Sequence, residues 1–179
     1  MRVKQLTTVA ILAALSIIIS FFSFPIIPSA TFLKLDFSDI FTFLALYFIG
    51  WKGLILSTFS KGIILYLHSS DPIGALLNVI AALVFNSVYY IVHKKTKKYV
   101  ISGVVATSIF SVTLSLLNYF VFLPLYMALF NIQLGALDTL VLYAVFPFNI
   151  IKGITLSILD SVLIKKFISL GYSKGSFER

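Results

Sequence analysis

The sequence predicts an all-α integral membrane protein: a bundle of six transmembrane helices with N- and C-termini cytoplasmic. Three observations carry this. The 179 residues are 60% hydrophobic and 11% charged, with a mean hydropathy of +1.06, where soluble domains run at about 45–50% apolar and about 25% charged. A soluble domain near this size buries only about 70% of its surface, too little to hide such a composition. Apolar runs of span length recur along the chain, and the charges between them are unevenly distributed.

A span needs about 20 apolar residues at 1.5 Å rise each. Leu6–Phe24 fits and stops at Pro25. Arg2 and Lys4 precede it as they would a signal peptide, but the run exceeds the usual length of about 7–15 and no A-x-A-like site follows. A retained first span is expected. Residues 25–39 hold two prolines, a lysine and two aspartates, which makes a polar loop. Ile40–Gly50 and Leu54–Leu67 are short helices around Trp51-Lys52-Gly53, either a steep hairpin or a re-entrant one. Ser69-Ser70-Asp71-Pro72 is a turn in which Asp71-Pro72 starts the next helix. Ile73–Val92 is a full span, His93–Lys98 a basic loop, and Ile101–Phe122 a span ending before Pro124. Pro147 is expected to split the long final stretch. Leu137–Phe146 then becomes a short interfacial helix capped by Asp138, and Pro147–Lys165 the sixth span. The chain reads as one transmembrane domain, 1–170, with a polar cytoplasmic tail, 171–179, and no internal repeat.

Lys and Arg number 14 against 6 Asp and Glu, a net charge of +8. With the N-terminus inside, Arg2, Lys4, Lys52, Lys94, Lys95, Lys97, Lys98, Lys165, Lys166, Lys174 and Arg179 all fall on the inner side, while Asp36, Asp39, Asp71 and Asp138 fall outside. This is the positive-inside pattern. It marks cytoplasmic loops facing anionic lipid and not a nucleic-acid partner. The absence of cysteine excludes disulfides, thiolate metal sites and cysteine nucleophiles. No Gly-x-x-x-x-Gly-Lys-Ser/Thr stretch occurs, so the chain hydrolyses no ATP by that route. His68 and His93 sit near opposite ends of spans, and no metal site is expected.

Polar groups inside spans are the candidates for function. Lys152 lies five residues into the last predicted span, with Asn149 one turn earlier on the same face. Together they suit a pocket open to the outside; the alternative is that Lys152 snorkels to the headgroups. Asn118 and Tyr119 lie near the outer end of the fifth span, and an interhelical hydrogen bond is the alternative for Asn118. Asn78 is a ligand candidate on the fourth span, whereas Asn86 reads as structural. Lys61 reaches either the pocket or the outer interface. Asp160, in the inner half of the last span, pairs with inner lysines or a partner. Leu33–Asp39 alternates apolar and polar residues. It either lids a pocket, with Leu35 and Phe37 toward a flat ligand, or starts the second helix with Ser38 or Asp39 as N-cap. Ala10 and Ala14 form a small-xxx-small pair that permits close helix approach.

The stretches Leu33-Lys34-Leu35-Asp36-Phe37-Ser38-Asp39, Leu117-Asn118-Tyr119-Phe120-Val121-Phe122-Leu123-Pro124 and Pro147-Phe148-Asn149-Ile150-Ile151-Lys152-Gly153 resemble the substrate-binding (S) components of energy-coupling factor (ECF) vitamin transporters, riboflavin-specific branch. The resemblance covers nearly the whole chain. It implies six helices, an outward-facing riboflavin site, no cofactor, and residence in the cell membrane. It also implies a complex with a transmembrane coupling (T) subunit and two cytoplasmic ABC ATPases, and release of vitamin inside by toppling of the whole subunit. Carried over by position, Asn118, Asn149 and Lys152 would hydrogen-bond the ligand and the 33–39 loop, with Leu35, Asp36 and Phe37, would lid it; with Lys61, Asn78 and Tyr119 from the reading of the spans these make the expected substrate-binding set, and Ala10 and Ala14 look like the docking face. One departure is that Thr58 stands one turn before Lys61 where relatives are expected to carry an acid. Riboflavin is neutral and planar with a polar edge, so it needs apolar walls and a few placed donors and acceptors. A single lysine also permits a monoanion such as pantothenate, and a membrane-embedded enzyme using Lys152 or the outer aspartates is the alternative of a different class.

Overall fold

The computed structural model describes residues 1–28, 30–68, 71–131 and 134–171. The turn residues Ser69 and Ser70 and the tail beyond Gly171 lie outside the described residues. The chain forms α1 (Val3–Ser20), β1 (Phe24–Pro25), β2 (Lys34–Leu35), α2 (Asp39–Ile49), α3 (Trp51–His68), α4 (Pro72–Thr96), α5 (Tyr99–Leu117), α6 (Leu123–Phe130), α7 (Leu137–Leu140) and α8 (Phe146–Ser169). Wide π-helical turns at Asn118–Phe122 and Val141–Val145 join α5 to α6 and α7 to α8. The described helices therefore make six rods. Four of these, Val3–Ser20, Pro72–Thr96, Tyr99–Phe130 and Leu137–Ser169, are long and apolar enough to cross a membrane. The α2 helix, at 11 residues or ~16 Å, is too short to do so alone.

The prolines behave differently from expectation. The fifth helix does not stop before Pro124, and Pro147 does not divide the last one. A proline ring in an α-helix strikes the carbonyl four residues back. Here those carbonyls, of Phe120 and Tyr143, lie inside the π-turns, where the chain is already opened. The Leu123 N–H donates to Asn118 O, and the Phe146 N–H to Val141 O. The interfacial helix foreseen at Leu137–Phe146 is thus the start of one continuous 33-residue rod. Asp138 does not cap it, because Ala136 holds the N-cap position and Asp138 sits in the first turn, where its charge favours the helix dipole.

Other boundaries follow local chemistry. Asp71 Oδ1 accepts from Gly74 N–H at 2.8 Å, and Pro72 opens α4. Trp51-Lys52-Gly53 is not a linker but the first turn of α3. The entire turn between α2 and α3 is Gly50, at φ +89°, a conformation that costs side-chain-bearing residues. The outer loop carries an unforeseen two-residue antiparallel ribbon, Phe24 opposite Leu35 and Pro25 opposite Lys34. Phe43, Leu46 and Tyr47 of α2 are almost wholly buried and pack with Phe85 and Tyr89 of α4, Phe110 of α5 and Leu156 of α8. The shortest rod is therefore the central one. Trp51–Tyr90, Tyr47–Phe167 and His93–Tyr99 ring contacts close one end, and Phe21–His68 lies at the other.

A Cβ added at Gly53 would collide with the Ala45 carbonyl of α2. Gly53→Ala is expected to destabilise the fold by about 1–3 kcal/mol, read as a lower melting temperature in detergent.

Candidate functional site

At the Phe21–His68 end, the rods enclose a cavity of about 190 Å³ between α1, the 32–36 ribbon segment, α3, α4, α5, α6 and α8. Its walls are apolar: Phe32 and Leu33 from the loop, Leu65 from α3, Leu77 from α4, Phe110 and Leu114 from α5, Phe148 from α8. Asp36, Asn78, Asn118, Asn149 and Lys152 supply polar groups. Tyr126 of α6 closes one side and donates its hydroxyl to both Asp71 oxygens, at 2.5 and 2.6 Å.

Beside the cavity, four charges meet. Lys61 Nζ lies 2.6 Å from Asp39 Oδ1, and Lys152 Nζ lies 3.2 Å from Asp39 Oδ2 and 3.6 Å from Asp36 Oδ2. All four side chains are buried. The group sums to zero charge, which is how lysines persist in spans that otherwise penalise each by about 2.5–3.5 kcal/mol. Hydrogen bonds complete it. Ser38 N–H donates to Asp36 Oδ1 at 2.9 Å, and the Ser38 hydroxyl bonds the same oxygen. Lys61 donates to Ser38 Oγ at 3.1 Å, Asn78 Nδ2 to Asp36 Oδ2 at 3.2 Å, and Ser16 Oγ to the Ser38 carbonyl at 2.8 Å. Burial pushes the Asp36 carboxyl up, but Lys152, Lys61 and the Ser38 bonds outweigh it and hold it at about 2.

This arrangement settles several expectations. Lys152 does not snorkel; two carboxylates hold it inside. Lys61 does not line the cavity and does not reach the interface, because Asp39 and Ser38 claim its ammonium group. Its acid partner comes from the start of α2, and Thr58 stands in the position expected for one. Ser38 makes no side-chain cap to α2, since its hydroxyl is committed to Asp36. Leu35 is buried under the loop with Leu123, Val145 and Phe148, and Phe37 packs against the same cluster and Phe24. Neither lines the cavity. Tyr119, 37% exposed, turns outward beside Phe120. Asp36, Asn78, Asn118, Asn149 and Lys152 do converge on the cavity. The inner lysine proposed for Asp160 is absent: both its oxygens are buried without a hydrogen-bond partner among the described residues.

Two of the three asparagines are half used, and the Asn149 side chain makes no hydrogen bond among the described residues. Asn78 Nδ2 serves Asp36 and Asn118 Nδ2 donates to the Leu114 carbonyl at 2.8 Å. Asn78 Oδ1, Asn118 Oδ1 and Asn149 Nδ2 are buried and unpartnered among the described residues. An unmade hydrogen bond on a buried group costs about 1–3 kcal/mol. Two acceptors and one donor group therefore lie unsatisfied in residues that line the cavity. Sequence reasoning missed Asp39 as the acid shared by both lysines, and the Asp71–Tyr126 pair. The near-equal number of buried lysines and loop aspartates was the available signal for the first.

The Asp36 carboxyl ionises more readily folded than its ordinary value of 3.8 allows. Its stabilisation is complete above pH 3.8 and is lost as pH falls from 3.8 toward 2. Melting temperatures are expected to drop through that window, and Asp36→Asn is expected to flatten the drop.

Residues 4–164 match the family described as ECF transporter, substrate-specific component. The riboflavin transporter RibU of Staphylococcus aureus (strain TCH60) is 36% identical over 169 residues, covering 91% of this chain and 89% of that protein. The riboflavin transporter FmnP of Bacillus subtilis (strain 168) is 28% identical and covers 93% of each. A solved structure of the S component of a bacterial ECF transporter superposes with a TM-score of 0.80 at 33% identity, covering 93% of this chain and 96% of that one. With the apolar rods described above, these matches make the chain a multi-pass membrane protein and a transport component, not an enzyme. The chain belongs to the substrate-specific components of ECF transporters.

Proposed function

We propose that this protein is the riboflavin-binding subunit of an ECF-type importer in the cell membrane. The observation that carries the reading is the set of three asparagines with unpartnered amide atoms on an apolar, partly enclosed cavity. Riboflavin presents a flat tricycle, carbonyl acceptors and an imide donor along one edge, and a hydroxylated chain. Asn149 Nδ2 would donate to a ligand oxygen, while Asn78 and Asn118 would accept from the imide or hydroxyls. Phe32, Leu77, Phe110 and Phe148 would flank the ring. The charge balance supports a neutral guest. Lys152 is already neutralised by Asp36 and Asp39, so it offers little net attraction to a carboxylate such as that of pantothenate.

The basic loop at residues 94–98 and Lys165 and Lys166 lie at the end opposite the cavity, and by the positive-inside rule that end would face the cytoplasm. The cavity then opens outward, with both termini inside. Ala10 and Ala14 are exposed on α1, flanked by exposed Leu6, Ile11 and Ile18. A coupling subunit would dock closely on that small-residue face, and two cytoplasmic ATPases would supply the energy this chain cannot. The relatives are riboflavin transporters by name; the same cargo here rests on the cavity chemistry and on that kinship.

Protein purified from flavin-containing cells is expected to be yellow and to quench riboflavin fluorescence on titration. Asn149→Ala is expected to weaken binding about 5- to 30-fold, the scale of about 1–2 kcal/mol lost with a buried hydrogen bond. A colourless protein without quenching would remove riboflavin as the ligand. Ala10→Leu is expected to leave the titration unchanged while abolishing uptake in cells that also carry the coupling subunit and ATPases.

A further inference from the structure

A second concavity lies on the outside of the bundle, between α5 and α8, at the basic end. It is a groove of about 550 Å³. Its floor is made where Gly103 and Ser157 bring the two helices together. The hydroxyls on that floor are already spent: Ser157 Oγ donates to Gly153 O at 2.8 Å and Thr107 Oγ1 lies 3.2 Å from Ser157 Oγ, while Ser161 Oγ donates to Ser157 O at 2.6 Å. Apart from the exposed Ser108, the surface left open to a visitor is apolar, and Val104, Ile154, Ile158 and Val162 are all about half exposed or more.

The groove has a length and a polarity. From Ile154 to Lys165 it follows twelve residues of α8, ~17 Å of helix, or about half of a ~30 Å hydrocarbon layer. It therefore matches one leaflet and not a whole membrane. At its end Lys165 lies 5.1 Å over the ring of Tyr99 and has no salt-bridge partner among the described residues. Lys98 begins α5 there without a side-chain cap, so first-turn amides point out at the same level. An apolar trough one leaflet long, with a cation and an aromatic ring at headgroup depth, has the chemistry of a single phospholipid. Basic recesses between helices at the cytoplasmic side select anionic headgroups. A partner helix fits less well, since the small residues that would admit one are consumed in the α5–α8 contact.

We infer that the α5–α8 groove holds one anionic phospholipid of the inner leaflet, its acyl chain along Val104 and Ile158 and its phosphate on Lys165. The inference is independent of the vitamin carried. The test uses the full chain in neutral detergent, stripped of lipid and supplied with phosphatidylglycerol or phosphatidylcholine. Native mass spectrometry is expected to retain one phosphatidylglycerol per protein in preference to phosphatidylcholine, and phosphatidylglycerol alone should raise the melting temperature. Lys165→Gln should lower retention about fivefold, the factor equivalent to about 1 kcal/mol per cation near a headgroup, with Lys165→Arg restoring it. Val104→Trp should block retention while circular dichroism shows an unchanged helical melt. Three results would overturn the inference: equal retention of the two lipids, retention insensitive to Lys165→Gln, or stabilisation by inorganic phosphate as large as that by the lipid. A dimer in solution that Val104→Trp dissolves would also overturn it and assign the groove to a second copy.

Discussion

The rest of the structure depends on pairing two intramembrane lysines with two aspartates from one short stretch of loop. Lys61 sits on α3 and Lys152 on α8, and neither is tolerable alone in a low-dielectric interior. Asp39 reaches both of them from the first turn of α2. That single residue fixes α2 between α3 and α8, which explains how an 11-residue helix becomes the centre of the bundle. Asp36 then follows by chain connectivity, and with it the loop is drawn down over the cavity.

The same pairing shapes what the cavity can select. Asp36 and Lys152 face it, yet they compensate each other, so the wall is polar without carrying net charge. On the proposed reading, recognition passes to groups that are neutral and directional. The unpartnered amide atoms of Asn78, Asn118 and Asn149 come from three rods, and a guest satisfying all of them would bridge α4, the α5–α6 rod and α8. Binding and the closeness of those rods are in that sense one quantity.

The rods themselves were readable, because hydropathy, Asp71-Pro72 and the flanking lysines are local signals. Asn78, Asn118, Asn149 and Lys152 were also readable, since a polar side chain in an apolar run stands out against its neighbours. The pairing of Lys61 and Lys152 with Asp39 was not, as it joins residues far apart in the chain and no periodicity records it. Leu35 and Phe37 were misplaced because alternation along the loop suggests a face but not which cluster that face meets. Pro124 and Pro147 were misread for a simpler reason: on an α-helical template proline is a terminator, and only the wide turn before each shows why it is not one.

Those two wide turns also govern the rotational register of the helical segments beyond them. A π-turn adds one residue to the helix, and each residue advances an α-helix by about 100°. Removing one residue from Asn118–Phe122 would restore a regular helix and swing every later side chain of that rod by a quarter-turn or more. Tyr126 would leave Asp71 and face lipid, and one side of the cavity would open. The extra residue in each rod thus acts as a phase setting, aiming the segment beyond it.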